Sequence, residues 1–570
     1  MSVSGSSRIV RRWPARETLL ASPRLAVALI AAIHVVVLAI LYRTEWGLVH
    51  GTLALLAWGL LNFAWLLVLR RPGFSAALSL AMIGLLIVVS QFKFDILWTG
   101  VSFLDFLIVD HETVAFLLTV FPKLRATILV VAVLAIPLLI LIWRLDPFRV
   151  RRRISLLGLA SALAGLTALS LAVPQEPWEA FQGVNHVSNF ARSGVTETSE
   201  LVTHGWFEAE ARVPDRLQLT NETCRPVGKP PHIILLLDES SFDVTAAPGI
   251  KVPAGYQRHF RSFDGKQRSL LVEGTGGPTW YTEYNVLTGL SVRSFGRFKF
   301  YVTRIAAGRV ERGLPRALRR CGYKTITQYP TPGAFLSARR FQTTTGITRF
   351  VDQDEMGAAD DMQPDSYYYD QALRIIERER TGGPLFMFVY VTANHFPWTW
   401  TYRPDLTPGW RALGNEPAVD EYIRRQTMSA HDYAGFLARL KRDFPDESFM
   451  LLRFGDHQPA ISAKILDPSL DDAAIARRVL GFDPKYFTTY YTIEGVNFKP
   501  VDLSSALDRL DAPYLPLVIQ EVAGLPLDPS FAEQKKILQR CKGLFYACAG
   551  GAETRRFNRL LIDAGLIKGL

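Results

Sequence analysis

HIILLLDESSFD, residues 232–243, decides how this chain is read. An uninterrupted apolar run of strand length that ends in two carboxylates describes a strand buried on both faces, with its acids delivered at the carboxyl end. RSLLVEG (268–274), YKTITQYP (323–330), PLFMFVYVTAN (384–394) and SFMLLRFGDH (448–457) read as further strands. Amphipathic patterns lie between them, in GLPRALRRCG (313–322), YDQALRIIERER (369–380) and YAGFLARLKRDFP (433–445). Buried strands alternating with such helices predict an α/β domain with a largely parallel sheet flanked by helices. Ligands gather at the carboxyl ends of the strands in such sheets. Asp238-Glu239, Asn394-His395 and Asp456-His457 all fall there.

Working outward, the 570 residues are 49% hydrophobic, and the apolar excess sits before residue 175. A hydrocarbon core of about 30 Å needs roughly 20 residues of helix. Five stretches meet that length: 24–43, 49–70, 74–92, 124–143 and 154–173. A sixth apolar run, 102–121, is interrupted by Asp105, Asp110, His111 and Glu112, the pattern of an amphipathic helix lying at the membrane interface. The first span has too long an apolar core for a signal peptide and no small-residue cleavage site after it, so it reads as a retained anchor.

Arginines mark one side. Arg8, Arg11, Arg12 and Arg16 precede the first span, Arg70 and Arg71 join the second to the third, and Arg144, Arg149, Arg151, Arg152 and Arg153 join the fourth to the fifth. By the positive-inside rule the N-terminus is cytoplasmic, and an odd number of spans places everything after residue 175 outside. The expected organisation is a five-span domain (1–173), a polar connector (174–230), an extracytoplasmic catalytic domain (231–525) and a C-terminal extension of it (526–570). The net charge of +11 belongs largely to these loops, and no nucleic-acid motif accompanies it, so anionic lipid is a better partner than nucleic acid. Four cysteines, Cys224, Cys321, Cys541 and Cys548, follow the spans; of their three possible pairings, one joins Cys541 to Cys548 as a loop staple and Cys224 to Cys321.

Two more patches complete the chemistry: GTGGPTWYTEYN (274–285) and FGDHQP (454–459). A threonine hydroxyl is a poor nucleophile unless a base or a cation favours its alkoxide. Thr279 opens a helix after a Gly-Gly-Pro turn, a position that turns backbone N–H groups toward a phosphate. Glu239, Asp456, His457 and the Thr279 hydroxyl form a donor set suited to zinc or manganese. His395, with its titration range, is suited to binding the phosphate or protonating a leaving alkoxide. Each residue has a structural alternative. Glu239 and Thr279 are also common helix-cap types, His395 is a loop-packing type, and His431 beside Asp432 reads equally as a surface pair. Trp280, Tyr281 and Tyr284 fit a core as well as a headgroup cradle.

In this order the motifs resemble the alkaline phosphatase superfamily, and more narrowly the membrane-bound sulfatase-like transferases: lipoteichoic acid synthases, periplasmic glucan phosphoglycerol transferases and lipid A phosphoethanolamine transferases. The resemblance rests on LLLDESSFD, GTGGPTWYTEYN with NVLTGLS, RRCGYKTITQYP, VTANHFPW and FGDHQP. It implies metal binding by Glu239, Thr279, Asp456 and His457, catalysis by Thr279 and His395, and a phospho-headgroup passed from phosphatidylglycerol or phosphatidylethanolamine to a glycan or glycolipid. Glu283-Tyr284 matches the lipoteichoic-type pattern. Trp280, Glu283, Arg339, Arg340 and His431 are the candidates for substrate binding. The absence of cysteine around Thr279 favours the phosphoglycerol side. A headgroup phosphodiesterase and a non-catalytic membrane scaffold are the alternatives. A formylglycine sulfatase is not, since CRPVGK (224–229) lacks the required arginine.

Overall fold

A computed structural model describes residues 23–97, 100–109, 122–173, 182–214, 228–360 and 362–570, with single positions or short pieces between 114 and 226. The chain divides into two compact units, an apolar helical one reaching to Ser199 and an α/β one running from Glu200 to Leu570.

In the helical unit, five helices are long and apolar enough to cross a membrane, within Pro23–Thr44, Leu48–Leu69, Pro72–Leu97, Pro122–Leu145 and Arg152–Ala172. Their apolar residues face all round. Val37, Leu41, Ala54, Trp58, Ala76 and Ile142 pack inward, while Val35, Leu134 and Leu157 stay exposed, as lipid-facing positions do. The helices Leu48–Leu69 and Arg152–Ala172 approach through small residues: a Cβ at Gly158 would stand 2.5 Å from Phe63, and one at Gly165 would stand 3.1 Å from Leu56. That is how helices associate where apolar burial gives no preference over lipid.

The run expected as an interfacial helix over 102–121 is, in its continuously described part, the shorter helix Phe103–Ile108; most of its remainder lies outside the described residues. Asp105 does not face water there. It is buried, pairs with Lys93 at 2.8 Å and accepts the Ser102 N–H. The stretch expected as a connector contains a helix, His186–His204, whose first turn donates the Val187 and Ser188 N–H groups to Glu45. The carboxylate thus sits at the positive end of that helix.

The α/β unit is built on an eight-stranded sheet: β1 (His232–Asp238), β2 (Arg268–Leu271), β3 (Lys324–Gln328), β4 (Arg349–Val351), β5 (Leu385–Val391), β6 (Phe449–Gly455), β7 (Thr488–Val496) and β8 (Arg509–Asp511). Their order is β4-β3-β5-β1-β6-β7-β2-β8. Pairings are parallel except on the two sides of β7, so β7 alone runs against the rest. Every residue of β1, β5 and β6 is buried. One face packs Ile234, Leu236, Met387, Val389 and Leu451 against Tyr369, Leu373 and Ile376 of the helix Asp365–Glu379 and Phe436 and Leu440 of the helix Pro417–Asp443. Helices Leu314–Arg320 and Leu515–Val522 both pack on the helix Thr279–Thr288, and the first of them contacts β3.

Disulfides join Cys224 to Cys321 and Cys541 to Cys548. The C-terminal segment buttresses the helix Thr279–Thr288. Buried Arg312 bonds Thr288 O, Ser530 Oγ (3.0 Å) and Gln534 Oε1 (2.7 Å), and Gln534 Nε2 donates to Gly289 O (2.8 Å). These contacts satisfy carbonyls at a helix end that the helix itself leaves open.

The strands β1 and β6 run in register, Asp238 opposite Gly455. A Cβ at Gly455 would fall 1.9 Å from Ser241 O, so only glycine lets the end of β6 lie against the turn that follows β1. Gly455→Ala is expected to destabilise the domain by about 2 kcal/mol or more, read as a drop of several degrees in the thermal unfolding midpoint of the detergent-solubilised protein.

Candidate active site

Three chain segments meet at the carboxyl ends of β1, β5 and β6. Past β1, Ser240 takes a left-handed conformation (φ 52°), costly for a residue with a Cβ. Its N–H is thereby donated to Asp456 Oδ1 at 2.8 Å, and Ser240 Oγ donates to Glu239 Oε1 at 2.9 Å. From behind, Tyr422 Oη donates to Ser240 O and Gln426 Nε2 to Ser241 Oγ. The segment before Thr279 is tied to the one after β6: Thr275 bridges to Gln458, Gly276 N–H donates to Gln458 O at 2.8 Å, and Thr282 Oγ1 donates to Asp456 O. Gly276 and Gly277 both have positive φ, which the turn into the helix requires.

The result is a compact cluster. Thr279 Oγ1 donates to Glu239 Oε2 at 3.1 Å and lies 3.4 Å from His457 Nε2. That nitrogen stands 3.3 Å from Glu239 Oε1 and 3.4 Å from Asp456 Oδ2. His457 Nδ1 donates to its neighbour's carbonyl, Gln458 O, at 2.9 Å, which turns Nε2 into the cluster as the ring nitrogen open to a metal once its proton is displaced. Asp456 Oδ1 accepts two backbone N–H groups, whereas Oδ2 is buried with no hydrogen-bond partner. A carboxylate oxygen so placed calls for a cation.

The electrostatics agree with that need. Burial, joined by the charge of Glu239, pushes Asp456 up to about 8. Burial also works against ionisation of Glu239, yet His457 draws it down to about 2, with His395 and Ser240 assisting. His457, against its burial, is held up at about 9 by Asp456 and Glu239. The cluster on its own thus retains protons that a divalent ion would displace. Glu239, Asp456 and His457 place one donor atom each within 4.8 Å of the others, and with the Thr279 hydroxyl they form a donor set that could hold such an ion.

His395 is half-buried on the loop after β5, stacked on Phe396, and close enough for its charge to act on Glu239. The other candidates lie elsewhere. Glu283 is buried one helical turn past Thr279 and accepts from Gln342 Nε2 at 2.8 Å, with burial pushing it up to about 7. Trp280 is buried, its indole donating to Phe300 O. Arg339 is spent on Asp352, Arg340 is exposed, and His431 is exposed on the outer side of the helix Pro417–Asp443. Asp238 belongs to a sealed network with Arg453, Tyr490 and His259. Asp243 caps the turn Val244–Ala246.

Three positioning roles escaped sequence reasoning, that of Asn394 among them although its place at a strand end was legible. Ser240 is described above. Asn394 donates to Ser240 O at 3.3 Å while its own Oδ1 stays buried without a partner. Asp365 accepts the Ala393 N–H at 3.0 Å and the Ser429 hydroxyl, and so anchors the loop that leads to His395.

Residues 259–479 match the Sulfatase family model. The matched stretch lies within the α/β unit. The match takes in Thr279, His395, Asp456 and His457, and Glu239 precedes it. Among solved structures, the chain is similar to a phosphoglycerol transferase, GacH, of Streptococcus pyogenes in complex with sn-glycerol-1-phosphate (15% identity, 60% of this chain and 87% of that one, TM-score 0.46). It is also similar to the integral membrane lipooligosaccharide phosphoethanolamine transferase A of Neisseria meningitidis (12%, 83% and 95%, 0.43). A third is the lipoteichoic acid synthase LtaP of Listeria monocytogenes (16%, 52% and 72%, 0.36). No curated protein matches the sequence.

Two outcomes follow for this α/β domain. Asp456→Asn keeps an oxygen for the two backbone N–H groups but replaces the partnerless oxygen by an amide, so affinity for zinc or manganese, read by calorimetric titration, should fall by more than about tenfold. Asp365, pushed up to about 8 by burial and by the charge of Asp238, keeps a proton that the unfolded chain loses near pH 4. Its contribution to stability therefore declines as pH rises from about 4 to about 8, by up to about 1.4 kcal/mol per pH unit. Asp365→Asn should flatten the thermal unfolding midpoint across that window.

Proposed function

We propose that this chain is a metal-dependent phosphotransferase of the membrane. It would pass a phosphoglycerol or phosphoethanolamine headgroup from a phospholipid to a hydroxyl of a glycan or glycolipid through a phosphothreonine at Thr279. The observation that carries the reading is the contact of the Thr279 hydroxyl with a buried Glu-Asp-His cluster that has one carboxylate oxygen to spare. A hydroxyl poised over such a donor set is what a phosphoryl transfer requires of its nucleophile.

Glu239, Asp456, His457 and Thr279 would hold the ion, zinc or manganese. When bound, it supplies positive charge against the phosphoryl oxygens and favours the alkoxide. The residues do the rest. Glu239 accepts the Thr279 proton, and Thr279 Oγ1 forms a bond to phosphorus as the bond from phosphorus to the diacylglycerol oxygen breaks. His395 delivers a proton to that leaving oxygen. The acceptor hydroxyl then attacks phosphorus on Thr279 as His395 takes the acceptor's proton, and the bond to Oγ1 breaks as Glu239 returns its proton to that oxygen. The five apolar helices hold the domain at its lipid substrate, and the arginine-rich loops support a cytoplasmic N-terminus with the α/β domain outside. The cysteine-free surroundings of Thr279 favour phosphatidylglycerol as donor.

Intact mass tests this. Wild-type protein incubated with manganese or zinc and either phospholipid should gain the mass of one phospho-headgroup and release diacylglycerol, and Thr279→Ala should do neither. An adduct that decays to free headgroup with no acceptor product would establish a hydrolase instead. No adduct and no diacylglycerol with either lipid would refute the reading.

A further inference from the structure

The reaction proposed above makes no use of a second charged feature, at the loop ends of the apolar helices. Arg70, Arg151, Arg152 and Arg153 line a half-open cavity of about 390 Å³. The second and fifth apolar helices are brought together there by backbone: Val150 N–H donates to Arg70 O at 2.9 Å, and Arg70 Nε donates to Val150 O at 3.3 Å. Arg70 is further fixed by a left-handed backbone (φ 62°) at the end of the helix Leu48–Leu69.

Membrane topology asks for basic loops and does not ask that their guanidinium groups converge. Here four exposed arginine side chains share the lining of one cavity, without compensation. Among the described residues none of the four is in an ion pair. The nearest acid in the loop, Asp146, is buried and turned away, its oxygens accepting the Phe74 and Phe148 N–H groups. Arg71, the other arginine at this corner, is excluded from the cavity lining: it stacks on Trp143 and donates to Trp143 O and Asp146 O. The cavity also faces the N-terminal end of the helix Arg152–Ala172, where the helix dipole adds positive potential. Four like charges inside one Debye length repel one another, and an anion taken from outside relieves that. Guanidinium forks match phosphate oxygens two at a time, and the volume lies within the range of small-ligand pockets.

We infer that this arginine cavity is a phosphate-binding site, filled by the phosphate of an anionic phospholipid in the leaflet on the arginine side, separate from the Thr279 cluster. Phosphatidic acid is the probe, because it has no headgroup to transfer. Native mass spectrometry of the full-length Thr279→Ala protein in detergent, titrated with phosphatidic acid and with phosphatidylcholine, should reveal one phosphatidic acid bound at least tenfold more tightly. The triple change Arg151→Gln, Arg152→Gln and Arg153→Gln leaves Arg70 and its bond to Val150 in place, and should remove that preference at an unchanged thermal unfolding midpoint. The corresponding triple change to Lys, which keeps the charge, should retain most of it. Equal phosphatidic acid binding by wild type and the Gln variant would overturn the site. Displacement of the lipid by millimolar inorganic phosphate, with equal thermal stabilisation by phosphate alone, would overturn the lipid as its source and leave a free-phosphate site.

Discussion

Two carboxylates and a histidine enclosed together are the constraint on which the α/β domain depends. Burying one unpartnered carboxylate costs several kcal/mol, and Glu239 and Asp456 are buried side by side. The surrounding architecture answers that cost. Parallel pairing of β1 with β6 brings the two acids level. The left-handed turn at Ser240 and the N–H of His457 hold one oxygen of Asp456, the helix Pro417–Asp443 braces the turn from behind, and the ring of His457, kept protonated by the acids, turns Nε2 toward both of them. What remains uncompensated is a single oxygen, and its position beside the Thr279 hydroxyl gives the cluster a chemical direction.

Asp238 makes the contrast clear. It precedes Glu239 in the chain and, by the alternation of a strand, leaves the sheet on the opposite face. There Arg453 at 3.0 Å, Tyr490 and His259 all meet its Oδ2. Its carboxyl is held below the usual range because His259 and Arg453 outweigh its burial. One acid of the pair is closed off by Arg453, and the other joins a cluster with His457 and Asp456 that could hold a metal ion.

Much of this was legible before any coordinates. The apolar runs that became β1, β2, β3, β5 and β6 announce themselves because a strand covered on both faces has no polar alternation to hide in, and the acids and histidines at their ends follow from the rule of parallel sheets. The remaining strands did not. β4 and β8 are three residues each, and β7, TTYYTIEGV, mixes threonine, tyrosine and glutamate although most of it is buried. Side-chain direction was equally hidden. Glu283 follows Thr279 by four residues, a spacing that suggests a shared face, yet its carboxylate runs into the interior toward Gln342. Arg339 is a free cation in sequence and is bound to Asp352 in space. Ser240, Asn394 and Asp365 matter only through partners distant in the chain, which no local pattern encodes.

The brace at the far end of the helix Thr279–Thr288 has a consequence in time. Gln534, which holds Gly289 O, lies 245 residues downstream of it, and Ser530 and Gln534 together seat the buried Arg312 against Thr288. The helix that presents Thr279 therefore receives its support only when the end of the chain has been synthesised and folded back. A polypeptide still emerging has its threonine early and its scaffold late, so the helix is braced only after Gln534 has been made and folded back.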